Sequence, residues 1–135
     1  MDTTERAREV FASDAYAALT GVQIVAVEPH GCRCSLTLTD HHRNARGVAM
    51  GGVLFTLADF AAAVAANTDC LADGRLQWVS LDATIHYLSP ASCSALAAHC
   101  TAVKHGRSTA LYRTEITSLD SGKLLAAVET TMVHV

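Results

Sequence analysis

Asp59 is the residue whose setting most demands a chemical explanation. Between Val53 and Ala66 the only polar side chains are Thr56 and Asp59. The run is long enough for about four helical turns. It is apolar on nearly every face, which is the pattern of a buried helix. A carboxylate there is destabilising unless a partner pairs with it or a reaction uses it. A functional role and a plain hydrogen bond to backbone or arginine explain it equally well.

Gly51-Gly52 opens the same helix. The first helical turn leaves backbone N–H groups unpaired, and glycines let another group approach them closely. With the helix dipole, this makes a place for an anion or a developing oxyanion. Tight helix–sheet packing is the simpler explanation of the pair. Asp59 is eight residues beyond Gly51, roughly 12 Å along the axis at 1.5 Å per residue. Both serve one cleft only if substrate lies along the helix or a second subunit supplies one of them. Asn44, in the preceding loop, carries an amide that donates or accepts, and by itself reads as a turn residue. Ser80 and Thr84 fall on the polar side of an alternating strand. His30, Cys32 and Cys34 alternate so as to point one way, but four converging ligands are not visible, and no metal site is expected. His41-His42 reads as a solvated loop pair. The chain contains no Gly-x-Ser-x-Gly elbow, P-loop or dinucleotide fingerprint.

The positioning elements follow from the pattern. Thr4 to Leu19 predicts a short helix ended by Gly21. Val22–Val27 and Cys32–Leu38 predict strands around a turn at Pro29-His30-Gly31. In the second strand Cys32, Cys34, Leu36 and Leu38 share a face. Asp40 to Gly47 is a polar loop, and Thr68 to Arg75 is a connection with an Asp73-Gly74 turn. Trp78–Leu88 alternates, with Val79, Leu81, Ala83, Ile85 and Tyr87 opposite Ser80, Asp82, Thr84 and His86. Cys93–Lys104, Ser108–Ser118 and Leu124–His134 predict further strands, the last two forming a hairpin around Asp120-Ser121-Gly122. A helix, two strands, a long buried helix and three or four more strands make an α+β arrangement. In it, about five antiparallel strands wrap the long helix.

The chain has 135 residues, half of them hydrophobic and 17% charged. That fits a single domain, residues 1–135, with one core, and argues against disorder. The net charge of −3 offers no electrostatic footprint for nucleic acid. The longest apolar run is too short to span a bilayer, and the charged N-terminus has no signal-peptide core. A cytoplasmic setting is expected. The five cysteines lack paired spacing and read as core-filling thiols rather than disulfides.

The stretch from Asn44 through Met50-Gly51-Gly52 to Asp59 resembles the signature of hotdog-fold acyl-CoA thioesterases of the phenylacetic acid degradation (PaaI-like) type. That signature reads roughly N-x-x-G-x-x-H-G-G-x-x-x-x-L-x-D. The resemblance continues through Val79–Pro90, Val103–Ser108 and Ser121–Ala126. It implies a hotdog fold, a curved antiparallel sheet wrapped around one long central helix. It also implies sheet-paired homodimers, usually assembled into tetramers, with active sites at the dimer interface. The implied activity is hydrolysis of an acyl-CoA to free acid and CoA; the resemblance does not name the acyl group, and the small alanines leave room for a bulky one such as an aryl-acyl or medium-chain group. No separate cofactor is implied, because coenzyme A is part of the substrate.

By this resemblance Asp59 matches the catalytic carboxylate, a general base on water or a nucleophile. Gly52, next to Gly51, matches the backbone donor to the thioester carbonyl. Asn44 matches the amide that places thioester or water, and Ser80 a hydroxyl that orients water in some members. Lys104, His105, Gly106 and Arg107 match the segment near the CoA phosphates. The signature histidine is Met50 here, an apolar thioether in place of a polar ring. An acyl-CoA-binding protein with little turnover is therefore the alternative. A hotdog hydratase fits poorly, because that chemistry pairs a histidine with a carboxylate at another spacing. Phe55, Phe60, Tyr87 and Trp78 are candidate pocket liners, each also explicable as core.

Overall fold

In the computed structural model, which describes every residue from Met1 to Val135, the order of elements explains how the central helix is positioned. Two short helices, α1 (Thr3–Phe11) and α2 (Ala15–Thr20), precede strands β1 (Gln23–Glu28) and β2 (Gly31–Thr37). The long helix α3 (Gly51–Ala66) follows. Then come β3 (Trp78–Tyr87), β4 (Ala95–His105), β5 (Thr109–Ser118) and β6 (Leu124–His134). The strands form one six-stranded sheet in the order β1-β2-β4-β5-β6-β3, and every pairing is antiparallel.

The expected α+β architecture is present, with corrections. The single N-terminal helix is two helices. The first ends at Ala12, and Asp14 caps the second, accepting from the Ala17 N–H at 3.1 Å, because a short acidic side chain satisfies a first-turn amide. The second half contributes four strands, the upper of the expected numbers, so the sheet has six strands rather than about five, and the strand expected from Cys93 starts at Ala95. The expected connection after α3 is largely a 3-10 segment, Thr68–Asp73, closed by Gly74 at φ 68°.

The core lies between the concave sheet face and α3. Leu57, Ala58, Ala61, Ala62, Val64 and Ala65 of α3 are fully buried. They meet Cys32, Cys34 and Leu36 of β2, which share the inward face as expected, and Cys100, Tyr112 and Ile116 beyond them. Small alanines let the helix approach the sheet closely, and the thiols fill the remaining gaps. All cysteines are free. The Cys34 hydrogen bond and burial raise the Cys32 pKa, and burial pushes Cys100 up to about 12. Neither is a nucleophile at neutral pH.

The two sheet edges differ. On β1, Arg8 of α1 donates to the Ile24 and Val25 carbonyls at 3.0 and 3.2 Å, and the Val27 N–H donates to Thr4 at 3.0 Å. That edge is therefore covered. The β3 edge is open and carries exposed Val79 and Leu81. No helix is long and apolar enough to cross a membrane.

Candidate functional site

The sheet covers α3 on one side, and Asp59 lies on the other. Its carboxylate is exposed, on a stripe with Gly52 and Phe55 that the sheet does not bury. The expectation of a helix buried on every face is thus corrected. Apolar residues outnumber those the sheet can cover, so Phe55 and Met50 remain on the surface, Met50 at 58% exposure.

Ser80 supplies the partner of Asp59. The alternation expected for Trp78–Leu88 would put Ser80 on the face away from the helix. The ladder slips between Ser80 and Asp82, so Leu81 is an extra, bulged residue. A bulge reverses the in-and-out phase of a strand. Trp78 and Ser80 therefore share the helix side with Tyr87. The Ser80 hydroxyl donates to Asp59 Oδ1 at 3.2 Å and also lies 3.5 Å from Met132 Sδ. Asp59, Ser80, Trp78 and Met132 line a hollow of about 500 Å³.

The glycine pair divides its work. A Cβ on Gly51 would meet the Tyr87 ring at 3.0 Å, and the Tyr87 hydroxyl donates to the Gly51 carbonyl at 3.0 Å. Gly51 is there for packing. A Cβ on Gly52 would meet nothing within 4 Å. Met50, the N-cap, contributes no capping side-chain bond, and its carbonyl takes the Val53 N–H at 2.9 Å. The Gly51 and Gly52 amides have no intramolecular acceptor. Gly52 thus presents a first-turn N–H to open space, suited to a carbonyl oxygen acquiring charge.

Gly52 also lines a hollow of about 840 Å³, together with Met50, Val53, Thr56, His42 and others. His42 is not the solvated residue expected. Its Nε2–H donates to Thr20 at 2.7 Å, and Nδ1 accepts the Thr39 N–H at 2.9 Å. Both nitrogens are committed, so His42 does not replace the signature histidine. Asn44 is the turn residue its loop position suggested. Its Oδ1 accepts from Arg46 and Val48 amides at 2.9 and 3.3 Å, which leaves its NH₂ as the donor.

The remaining expected residues lie elsewhere. His105 bonds the Tyr112 hydroxyl at 2.7 Å, and that hydroxyl reaches Ala65 in the last turn of α3. Gly52 and Ala65 are roughly 20 Å apart along the helix. One chain therefore does not bring Lys104–Arg107 to Gly52. The His105 ring is packed against His30 and Trp78, and burial, then the charge of His30, lowers its pKa. Lys104 and Arg107 are the exposed cations of that segment. A Cβ on Gly106 would come within 2.7 Å of the Thr109 carbonyl, so this turn requires glycine. Of the candidate pocket aromatics, Phe60 and Trp78 are 7% exposed and pack in the core, Trp78 also lining the hollow beside Asp59, while Phe55 and Tyr87 are at the surface.

Residues 46–125 match the model of the Thioesterase superfamily. The chain belongs to that family. It is 34% identical over 112 residues to a putative esterase of Deinococcus radiodurans, covering 82% of this chain and 73% of that one. It is 30% identical over 113 residues to acyl-coenzyme A thioesterase PaaI of Escherichia coli, covering 83% and 77%. The solved structure of the E. coli PaaI protein matches with a TM-score of 0.86 at 25% identity, over 99% of this chain and 96% of that one. The fold is accordingly the hotdog fold, and the chain is a thioesterase.

Asn67 escaped the sequence reading. It is fully buried at the end of α3. Its NH₂ donates to the Ala63 and Trp78 carbonyls, and its Oδ1 accepts from the Gln77 and Trp78 amides. It fastens the start of β3, and therefore Ser80, to the helix that carries Asp59. An amide directly after an apolar helix was the available signal.

Proposed function

We propose that this thioesterase hydrolyses acyl-CoA to free acid and CoA at sites shared between two subunits. The observation that carries this reading is the Asp59–Ser80 pair on the uncovered face of α3, displaced along the helix from the open Gly52 amide. Asp59 acts as general base on water or as nucleophile, with Ser80 orienting carboxylate and water. Gly52 N–H holds the thioester oxygen as charge develops on it, and the Asn44 amide helps place the thioester. The CoA thiolate leaves and takes up a proton.

The separation of Lys104–Arg107 from Gly52 in one chain supports a second subunit bringing those cations to the substrate. The open apolar β3 edge supports pairing of two sheets there, and a dimer of such dimers completes a tetramer. Contacts of Lys104 and Arg107 with CoA phosphates would weaken with salt. The large hollow beside Met50 and Gly52 supports an aryl or medium-chain acyl group.

The test is free-thiol release from a panel of short-chain, medium-chain and aryl-acyl CoAs. Asp59→Ala and Asp59→Asn are expected to lose about 10²–10⁴-fold in turnover, and normal turnover by either would sink the assignment. Exposed Met50 beside Gly52 favours a second reading, acyl-CoA binding with weak turnover. Under it, the panel shows tight binding without hydrolysis, and Met50→His restores activity.

A further inference from the structure

At the far end of α3 from Gly52, three elements bring metal-ligating atoms together. His30 comes from the β1–β2 turn, Asp69 from the 3-10 segment after α3, and His105 from the end of β4. One donor atom of each lies within 4.8 Å of the others. We propose that the His30–Asp69–His105 cluster binds a divalent transition-metal ion of the zinc class, with water completing the shell.

His30 is the only non-glycine residue with a positive φ, at 48°. Pro29 fixes a negative φ at the first central position of the Glu28–Gly31 turn. The reversal then falls on position 30, where glycine or asparagine is usual. Histidine tolerates this region better than most side chains, but a non-glycine residue there remains uncommon and is the kind of position to examine for function. His30 Nδ1 is moreover buried without a hydrogen-bond partner. Its Nε2 lies 3.5 Å from Asp69 Oδ2. Two ligands bound to tetrahedral zinc at about 2.0–2.1 Å are separated by nearly that distance, about 3.4 Å.

His105 is already oriented as a ligand. The Tyr112 hydroxyl lies 2.7 Å from His105 Nδ1 and 3.5 Å from the Ala65 carbonyl. In the tautomer where Nδ1–H donates to that hydroxyl and the hydroxyl to Ala65, Nε2 is the open lone pair, and such a bond behind the ring is the usual support of a metal-binding histidine. The two imidazoles stack at 4.1 Å, 21° from parallel. Converging both on one ion takes a tilt of His30, whose Nδ1 has no bond to give up. Trp78 and Tyr112 hold His105 in place, and the exposed Asp69 carboxylate follows freely. The ion would clamp the hairpin turn, the 3-10 segment and β4.

The test uses the full chain, stripped with a chelator. It is titrated with zinc chloride by calorimetry and with cobalt chloride by visible absorption. The expected result is one ion per chain and a tetrahedral or five-coordinate cobalt spectrum without a thiolate charge-transfer band. Asp69→Asn should weaken binding at least tenfold. His30→Gly should abolish binding while raising the melting temperature of the metal-free chain, because glycine relieves the positive φ, so unfolding cannot explain the loss. His41→Gln, on the exposed loop, should bind normally. Unchanged affinity in Asp69→Asn or His30→Gly, a thiolate band, or loss of binding in His41→Gln would each overturn the proposal.

Discussion

Ser80 Oγ lies 3.2 Å from Asp59 Oδ1, and the hydroxyl donates to the carboxylate across the gap between β3 and α3. The contact depends on the bulge at Leu81, which turns Ser80 to the helix side. Removing the hydroxyl leaves Asp59 in place but without its positioning bond. Ser80→Ala should therefore lower kcat by about tenfold, with KM little changed, whereas Asp59→Asn should lose far more. Steady-state kinetics of both variants on one acyl-CoA checks this order.

The shared-site reading makes a complementation prediction. Asp59→Asn and Asn44→Ala chains are each expected to be weakly active alone. If the two positions in a site come from different chains, a mixed dimer places both substitutions in one site and leaves the other intact. Refolding or coexpressing the two variants should then recover activity. Recovery no greater than the sum of the separate variants would show that each chain builds its own site.

Gly51 and Gly52 should respond differently to alanine. Gly51→Ala pushes a methyl against the Tyr87 ring, 3.0 Å away, and should destabilise by about 1 kcal/mol. Gly52→Ala meets nothing in the chain and gains helix propensity, so stability should hold or rise by up to about 1 kcal/mol. Its methyl enters the space proposed for the thioester, and activity should fall. Denaturant melts paired with the thiol-release assay separate the two effects.

Asn67→Ala should be among the most destabilising single substitutions. It leaves the half-buried Gln77 amide and the buried Trp78 amide without their side-chain acceptor at 2.8 and 3.0 Å. A loss of about 2–4 kcal/mol is expected, since each buried orphaned donor costs about 1–3 kcal/mol. The melting temperature reads it directly. Activity per folded molecule should also drop, because Asn67 anchors the strand that carries Ser80.

Burial, and secondarily the charge of His30, holds the His105 pKa below its ordinary 6.5. The folded state therefore binds fewer protons than the unfolded chain just below that value. Stability is fully present above about pH 6.5 and is lost as pH falls through the folded pKa. In chelator-treated buffer the melting temperature should fall on acidification below about pH 6.5, and His105→Gln should flatten that decline. An equally steep decline in the variant would remove His105 as its source.

What the amino-acid sequence by itself determined is the local and the periodic. The apolar run to Ala66, its opening at Gly51-Gly52, the inward face of Cys32, Cys34 and Leu36, and the turn at Gly122 all follow from short-range patterns of burial and backbone freedom. The order of motif residues from Asn44 to Asp59 was enough to indicate the family. What the tertiary structure decided depends on partners distant in the chain. Periodicity assumes an unbroken strand, so it placed Ser80 on the wrong face until the Leu81 bulge was seen. Apolar content reports how much a helix can bury and not where the sheet stops, so Asp59 read as buried when it is exposed. His30 and His105 stand out in sequence for other neighbours, and they meet Asp69 only because a hairpin, a 3-10 segment and a strand end close over the same end of one helix.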